Sequence, residues 1–294
     1  MIHSSPQSFK PGILYMLGGM FIFSVINAIV KDITVDYNPI QLVFFRCFFA
    51  CLPISLLLSL RGQWMLPSPS QWKIHLLRAI LIALALPVLF LGIGLLPLSD
   101  SMALYFSSTL FLVILSYPIL REKVTTIQWL AVGIGFIGVI VIAKPTSGIF
   151  HYGALFVISA AFMESMCNIY GRLLSTTHNS LMITFLGSLL PSLILLFILP
   201  FVWVTPDLTG WIALLSLGFG GGLGQLCIVL AYCYAPPGIL APMIYSAILW
   251  SVFLDIILWG NWPTKSLIIG CGIIIASGLM IVFSKSKEKE HDKG

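Results

Sequence analysis

The sequence has few charged residues: Asp, Glu, Lys and Arg make up 9 % of its 294 positions, against about 25 % in an average soluble protein. So few charges cannot cover the surface of a soluble fold of this length. The composition therefore excludes a cytosolic enzyme, a nucleic-acid-binding domain and a disordered scaffold. With 59 % hydrophobic residues, the sequence predicts a helical polytopic membrane protein, because lipid offers no partners to unpaired backbone groups.

Metal-binding and disulfide patterns are also missing. The six cysteines lie in apolar runs and none forms a CxxC pair, so we interpret them as small buried hydrophobic residues. The five histidines stand at the ends of these runs or near the termini, too scattered for a metal site. We therefore expect neither a metal nor a cofactor. The net charge of +5 does not indicate nucleic acid, because four of the 15 Lys and Arg residues belong to the last ten positions, a pattern typical of a solvated tail.

Long apolar runs dominate what is present. A helix needs about 20 apolar residues to cross the hydrocarbon core, and ten runs meet this length: 12–30, 40–60, 74–96, 99–119, 125–143, 152–173, 180–203, 210–233, 238–259 and 265–284. The connections are short and carry turn residues such as Asn38-Pro39 and Pro236-Pro237. No connection is long enough for a further domain. The first run is too long for a signal-peptide core and lacks a cleavage site, so we expect it to stay in the mature protein.

The distribution of Lys and Arg predicts the orientation. With the N-terminus inside, the inner segments hold ten of these residues and the outer segments hold three, Lys31, Lys144 and Lys265. Because basic residues accumulate in cytoplasmic segments, we expect both termini in the cytoplasm. We also expect a multi-pass protein of the inner (plasma) membrane that contacts lipid and is a monomer or a homodimer.

The chain contains an internal repeat. Residues 24–31 and 165–172 share the pattern S-x-x-N-x-x-x-[K/R], 141 positions apart, and Gly133-x-Gly135 is matched by Gly270-x-Gly272, 137 positions apart. Each half has five spans, an odd number, so the second half enters the membrane from the opposite side. The predicted fold is thus all-α, with ten transmembrane helices as two five-helix inverted repeats over residues 11–145 and 151–285, followed by a tail at 286–294. Inverted repeats are common in secondary transporters, which bind substrate near the midplane between the halves.

These features resemble the ten-span branch of the drug/metabolite transporter superfamily, with two EamA-type halves. The resemblance covers about residues 11–284 and is carried by Asn27 with Lys31, Phe44-Phe45-Arg46, Leu77-Arg78-Ala79, Leu120-Arg121-Glu122-Lys123 and Ala241-Pro242-x-x-Tyr245. The second half departs from the pattern in two places: Gly187 stands where the first half has Arg46, and Gly260-Asn261 where the repeat often has Gly-Glu. The resemblance implies a ten-helix carrier of the plasma membrane. Relatives carry amino acids, nucleotide-sugars, cofactors or drugs, and some that share the Phe-Phe-Arg and Ala-Pro-x-x-Tyr elements take up S-adenosylmethionine.

Polar residues inside the spans are the candidate site. Charged groups at membrane depth are costly and usually functional. In the sixth span Glu164, Asn168 and Arg172 share one helical face, and in the first span Asn27 and Lys31 do the same. In one interpretation Asn27, Glu164 and Asn168 line a central cavity whose mouths are guarded by Lys31 and Arg172. In the other, the two cations extend to the membrane interfaces and the amides join packed helices.

A second set of polar groups lies in spans 4, 8 and 9. Tyr105 and Tyr245 occupy repeat-related places, and an aromatic ring with a polar tip suits a cavity wall or simple packing. The full set of predicted substrate-binding residues is Asn27, Tyr105, Ser108, Glu164, Asn168, Gln225, Tyr245 and Trp250. For gating or charge pairing we predict Lys31, Arg46, Arg172 and Asp255, with Arg46 pairing Asp255, and we interpret Arg78 as an interfacial anchor. We expect spans 1, 3, 4, 6, 8 and 9 to line the central cavity. Spans 5 and 10 are expected at the periphery, with Gly133, Gly138, Gly270 and Gly278 facing other helices.

Three classes of function compete for this pattern: a carrier, a membrane enzyme and a channel. The sequence favours a secondary transporter of a small polar organic metabolite, an amino acid or an amino-acid-derived compound such as S-adenosylmethionine, with protons as a candidate coupling ion at Glu164. An exporter of drugs or other metabolites is the alternative. A membrane enzyme is disfavoured because no HExxH, Ser-His or paired-acid arrangement occurs at membrane depth. A channel is disfavoured because the chain has no filter-like repeat.

Overall fold

The fold is entirely helical over the residues that the computed structural model describes, 9–64, 66–121, 124–143, 149–175 and 179–291. Twelve helices lie in these ranges: α1 Lys10–Ile33, α2 Pro39–Leu60, α3 Pro69–Leu95, α4 Leu98–Tyr105, α5 Ser107–Leu120, α6 Thr126–Ala143, α7 Ile149–Ser175, α8 Ser180–Val202, α9 Leu208–Tyr234, α10 Pro237–Ile244, α11 Ser246–Trp259 and α12 Lys265–His291. Ten segments are long and apolar enough to cross a membrane. The predicted all-α class with ten spans is therefore confirmed.

The fourth and ninth spans are each broken into two helices. Helix α4 gives way to α5 at Phe106, and α10 gives way to α11 at Tyr245, 139 positions later. In each pair the first helix has 8 residues and the second has 14. The ring centroids of Phe106 and Tyr245 lie 4.9 Å apart. Pro242 precedes the second break and removes a backbone donor, whereas α4 contains no proline. The two interrupted spans thus meet at their interruptions.

Helix ends repeat at similar offsets. The side chain of Asn38 accepts a hydrogen bond from the Ile40 N–H at the start of α2. Asn179, 141 positions later, accepts one from Leu181 at the start of α8. These caps satisfy backbone donors that a helix start leaves free. The turn residues predicted at Asn38-Pro39 therefore mark a true helix start.

Each extensive contact between helices of the two halves has a counterpart between the equivalent helices when the halves are exchanged. Helix α1 packs on α9 as α7 packs on α3, α2 packs on α9 as α8 packs on α3, and α1 packs on α11 as α7 packs on α5. The remaining extensive pairs, α2 with α8 and α6 with α12, join equivalent helices of the two halves. This is the pattern that a two-fold relation between halves produces.

Helices α6 and α12 pack closely through two glycines. A β-carbon on Gly138 would lie 3.0 Å from the Gly270 carbonyl oxygen, and one on Gly270 would lie 2.9 Å from that of Gly138. Small residues allow such close backbone approach in membranes. Gly278 lies against the Tyr245 hydroxyl. Gly133, by contrast, is exposed, and a β-carbon there would meet no atom within 4 Å, so the expectation that it faces another helix is wrong.

Some predicted features lie outside the described residues. They are Glu122 and Lys123 of the predicted cytoplasmic connection, Lys144 among the outer basic residues, and residues 292–294 of the tail.

Candidate functional site: a polar cavity within the bundle

A cavity of about 470 Å³ lies inside the bundle, a size that suits a small organic molecule. Its described lining residues come from α1, α2, α3, α4, α5, α7, α8, α9, α10 and α11, and none of them comes from α6 or α12. In terms of spans, the predicted contributors 1, 3, 4, 6, 8 and 9 all line it. Spans 2 and 7 do so as well, which the sequence interpretation missed.

Glu164 of α7 lines the cavity. The Tyr105 hydroxyl and the Asn168 side chain line the same cavity and are polar neighbours of the Glu164 carboxylate. Arg78 and Arg46 act on it electrostatically, but within the described residues neither guanidinium is in ion-pair contact with it. A carboxylate at membrane depth is thus left facing the cavity.

Arg46 of α2 also lines the cavity, with its guanidinium beside two phenyl rings. Its Cζ lies 5.9 Å from the Phe23 ring centroid and 5.8 Å from that of Phe90, distances at which a cation is attracted to an aromatic face. The buried Nε of Arg46 has no hydrogen-bond partner among the described residues. Helix α9 passes beside its stem at Gly221, where a β-carbon would lie 3.5 Å from the Arg46 Cγ, an ordinary contact distance. The predicted Arg46–Asp255 pair is wrong, because Asp255 pairs with Lys31.

Arg78 of α3 is a cavity residue too, and its interpretation as an interfacial anchor is wrong. Its Nη1 donates a 3.0 Å hydrogen bond to the Ile183 carbonyl of α8. The guanidinium occupies space beside Gly187, where a β-carbon would lie 2.6 Å from Nη1. Gly187 follows Arg46 by 141 positions, the repeat offset. The glycine that departs from the repeat pattern therefore makes room for a second arginine. This departure is the sequence feature that could have predicted Arg78 as a cavity residue.

Most of the predicted binding residues meet at this cavity. Asn27, Tyr105, Ser108, Glu164, Asn168 and Gln225 all line it. The Asn27 amide also donates to the Met102 sulfur at 3.4 Å. Thr109, Thr184 and Ser188 add hydroxyl groups to the wall. The cavity therefore offers acceptors and donors of several kinds around one carboxylate and two guanidinium groups.

Tyr245 and Trp250 do not line the cavity, contrary to expectation. Tyr245 is buried against Phe106 and turns its hydroxyl toward Gly278 of α12. Trp250 packs edge-on against Phe21 at 5.0 Å. Both are therefore placed among packed helices, which is the alternative that the sequence left open for the aromatic residues.

Asp255 closes the end of the bundle where α1 finishes. Its carboxylate lies 3.4 Å from the Lys31 Nζ, and it accepts hydrogen bonds from the backbone N–H groups of Leu98 and Ser99 at 3.1 and 2.7 Å. The Ser99 hydroxyl donates a further bond at 2.6 Å. A carboxylate at the first residues of α4 complements the positive end of the helix dipole. Asp255 is 1 % exposed and Lys31 13 %, so the pair is buried, and none of these residues lines the cavity.

The other end of the bundle is built differently. The residue 139 positions before Asp255 is Ser116, whose hydroxyl donates to the Val113 carbonyl of its own helix. Arg172, the counterpart of Lys31, is exposed near the end of α7 and does not line the cavity. The cavity wall extends toward this end, through Met16 of α1, Thr184 of α8 and Tyr232 of α9. We call the two ends the Lys31 end and the Arg172 end.

A bundle of ten apolar helices around a polar cavity, with an ion pair across one end, has the architecture of a membrane carrier. The family model of the EamA-like transporter family matches residues 10–144 and 151–283, and the chain belongs to this family. The predicted resemblance is confirmed, and the protein is a small-metabolite transporter and not an enzyme.

Curated relatives of similar length transport different compounds. The chain is 25 % identical to an S-adenosylmethionine uptake transporter of Rickettsia conorii, covering 93 % of this chain and 95 % of that protein. It is 28 % identical to a pseudopaline exporter of Pseudomonas aeruginosa (95 % and 98 % covered) and 27 % identical to a riboflavin transporter of Vibrio cholerae (96 % of both). A solved crystal structure of 14 % identity has the same fold, with a TM-score of 0.66 over 92 % of this chain and 94 % of the other.

Proposed function

We propose that this transporter carries an amino acid or an amino-acid-derived compound such as S-adenosylmethionine across the inner membrane by alternating access. The observation that carries the proposal is the cavity in which Glu164, Tyr105 and Asn168 are brought together at membrane depth. A carboxylate among amide and hydroxyl groups suits a cationic or zwitterionic amine. The similarity to S-adenosylmethionine uptake transporters supports the same substrate class.

In this proposal the two halves are inverted repeats that rock about the cavity. The Lys31–Asp255 pair holds the Lys31 end closed, while the Arg172 end gives access to the cavity. With both termini cytoplasmic, the closed end is the outer one. Asn27 and Gln225 contact the substrate from opposite halves, and Ser108 adds a hydroxyl beside the break of the fourth span.

Glu164 is also the proposed coupling residue. The carboxylate would release its proton when a cationic substrate binds and take up a proton when the substrate leaves. The neighbouring titratable groups are Tyr105, Cys167 and the two guanidinium groups of Arg46 and Arg78. A monomer supplies every one of these groups, and a homodimer would leave the site unchanged.

Export of such a compound is the second candidate, favoured by the 28 % identity to the pseudopaline exporter. Transport assays in vesicles of the two orientations separate the directions. Right-side-out vesicles accumulate a substrate that is taken up, and inside-out vesicles accumulate one that is exported.

A thermal-stability screen of the purified protein tests the substrate class. A ligand that binds the folded state raises its stability, by about 2.7 kcal/mol at one hundred times its dissociation constant. We expect a rise in melting temperature with S-adenosylmethionine or an amino acid. A screen in which only compounds without an amine or sulfonium group stabilise the protein would contradict the proposal.

A further inference from the structure

The two arginines of the cavity differ in what they already bind. Arg78 donates to the Ile183 carbonyl, so part of its guanidinium is committed to the protein. The buried Nε of each arginine has no partner among the described residues, but Arg46 also lacks a bond like the one that Arg78 Nη1 donates. Buried polar groups in folded proteins are normally paired, so an unpaired one beside a cavity indicates a place that a ligand fills.

The surroundings of Arg46 fix its position. The centroids of the Phe23 and Phe90 rings lie 5.9 and 5.8 Å from its Cζ. Helix α9 passes beside its stem at Gly221, where a β-carbon would lie 3.5 Å from the Cγ. These contacts restrict the guanidinium without using its hydrogen-bond donors. A planar guanidinium held in this way is suited to bind a carboxylate with two parallel bonds.

The charges of the cavity point to the same ligand. Among the described residues, two guanidinium groups and one carboxylate line it, which leaves one positive charge in excess. Glu164 alone would favour a simple cation, but such a ligand would raise the excess to two positive charges and leave Arg46 without an anionic partner. A zwitterion adds no net charge. A ligand with both a cationic and an anionic group satisfies Glu164 and Arg46 together.

We propose that Arg46 is the carboxylate anchor of the substrate site, so that the transporter selects molecules that carry a free α-carboxylate together with a cationic group. This inference rests on the proposed function and narrows it, because it excludes amines that lack the acid. It makes Arg46 a binding residue in place of the gating residue expected from the sequence.

Matched ligand pairs test the anchor in the wild-type protein. The probes are S-adenosylmethionine with its decarboxylated form, lysine with cadaverine, and methionine with methioninamide, each measured by the shift in melting temperature. We expect the acid of at least one pair to bind about 10- to 100-fold more tightly than its partner, the range of one charge-assisted interaction. Equal binding within the pairs, binding of the acid-free members alone, or no response to any acid would overturn the inference.

The same pairs measured on Arg46→Gln separate an anchor from a structural residue. The variant should lose the preference for the acid and bind the acid-free partner about as well as the wild type does. A structural role would instead weaken both partners equally, and a preference that survives the substitution would also overturn the inference. Arg61→Gln, exposed at the end of the same helix α2, is the control and should keep the preference.

Two safeguards keep the outcome interpretable. If Arg46→Gln does not fold, Arg46→Lys retains the charge but not the planar pair of donors, and it should reduce the preference partially. Transport of a substrate that lacks a carboxylate would leave the carrier function standing while removing this inference. The two failures are therefore distinguishable.

Discussion

At the scale of single residues, the carboxylate of Glu164 makes the cavity polar, because its position along α7 keeps it away from both membrane surfaces. A charged group at the centre of a span costs about 2.5–3.5 kcal/mol on insertion scales. Glu164 stands fifteen residues after the start of the 27-residue helix α7, so its side chain cannot reach either interface. The polar side chains of Tyr105 and Asn168 beside it offset part of this cost.

The first prediction concerns Glu164→Gln, which keeps the shape and removes the titratable group. Uptake of a cationic or zwitterionic substrate should lose its dependence on pH, because no proton is then exchanged at this position. The rate at the optimal pH should fall by about tenfold or more, since a charged hydrogen bond becomes a neutral one. Uptake into proteoliposomes over a range of pH around neutrality measures both effects.

Asp36→Asn is the matched control, because Asp36 is exposed in the connection between α1 and α2. It should leave the profile unchanged. A wild-type rate and pH profile in Glu164→Gln would reduce Glu164 to a structural residue.

The second prediction concerns the Lys31–Asp255 pair. Lys31→Met leaves the Asp255 carboxylate buried without its cation, which costs about 3–5 kcal/mol in comparable pairs. We expect the Lys31 end to open more often, so that a cysteine introduced at Asn27 reacts about tenfold faster or more with an impermeant thiol reagent applied from that side.

Adding Asp255→Asn to Lys31→Met should restore much of the closed population, because the unpaired charge is gone while an amide oxygen still accepts from Leu98 and Ser99. Such non-additivity is the signature of a direct interaction. Additive effects of the two substitutions would show that the pair does not hold the gate.

At the scale of helices, the peripheral pair α6 and α12 depends on glycines at one face. Gly138 and Gly270 each approach the other's carbonyl oxygen. Gly272, two residues further along α12, faces open space. The same helix therefore carries one glycine that packing requires and one that it does not.

The third prediction compares Gly270→Leu with Gly272→Leu. The first should lower the melting temperature by several degrees or prevent folding, because overpacking costs about 1–3 kcal/mol or more. The second places the same side chain where nothing opposes it and should be nearly neutral. Equal effects on fluorescence-detected melting would contradict the packing described for α6 and α12.

Two helices end at a residue in the left-handed backbone conformation, and the sequence indicates only one of these ends. Helix α5 ends at Arg121 with φ +53° and α11 ends at Gly260 with φ +65°, 139 positions apart. Glycine adopts this conformation at no steric cost, whereas other residues are rare there. The sequence could reveal an end at Gly260, but Arg121 carries no such signal. Its backbone N–H donates to the Ser116 carbonyl, the hydrogen bond that closes the end of α5.

At the scale of the whole molecule, ten apolar runs predicted ten spans because the length of a membrane helix is fixed by the bilayer. The breaks at Phe106 and Tyr245 were not predicted, since both lie within runs that are long enough to cross the membrane as one continuous helix. The residues of the site were predicted only where a pattern along one helix reveals them. Asn27, Glu164 and Asn168 follow helical periodicity, whereas Arg46 and Arg78 meet the cavity only through the packing of α2 and α3 against the second half.

The fourth prediction concerns topology, which the ten-against-three distribution of basic residues favours. Alkaline phosphatase, active only outside the cytoplasm, should remain inactive when fused after residue 294. Fused in the short connection between α1 and α2, it should be active. The reverse result would place the Lys31 end inside and invert the assignment of the gate.

Alternating access at the cavity is the central claim, and counterflow tests it most directly. Proteoliposomes are loaded with the unlabelled ligand that stabilises the protein most and are then placed in a trace of labelled ligand. A carrier exchanges the two, so label should accumulate transiently above its equilibrium level in the wild type and far less in Glu164→Gln. Label that merely equilibrates, with no overshoot and no dependence on the internal ligand, would contradict the account.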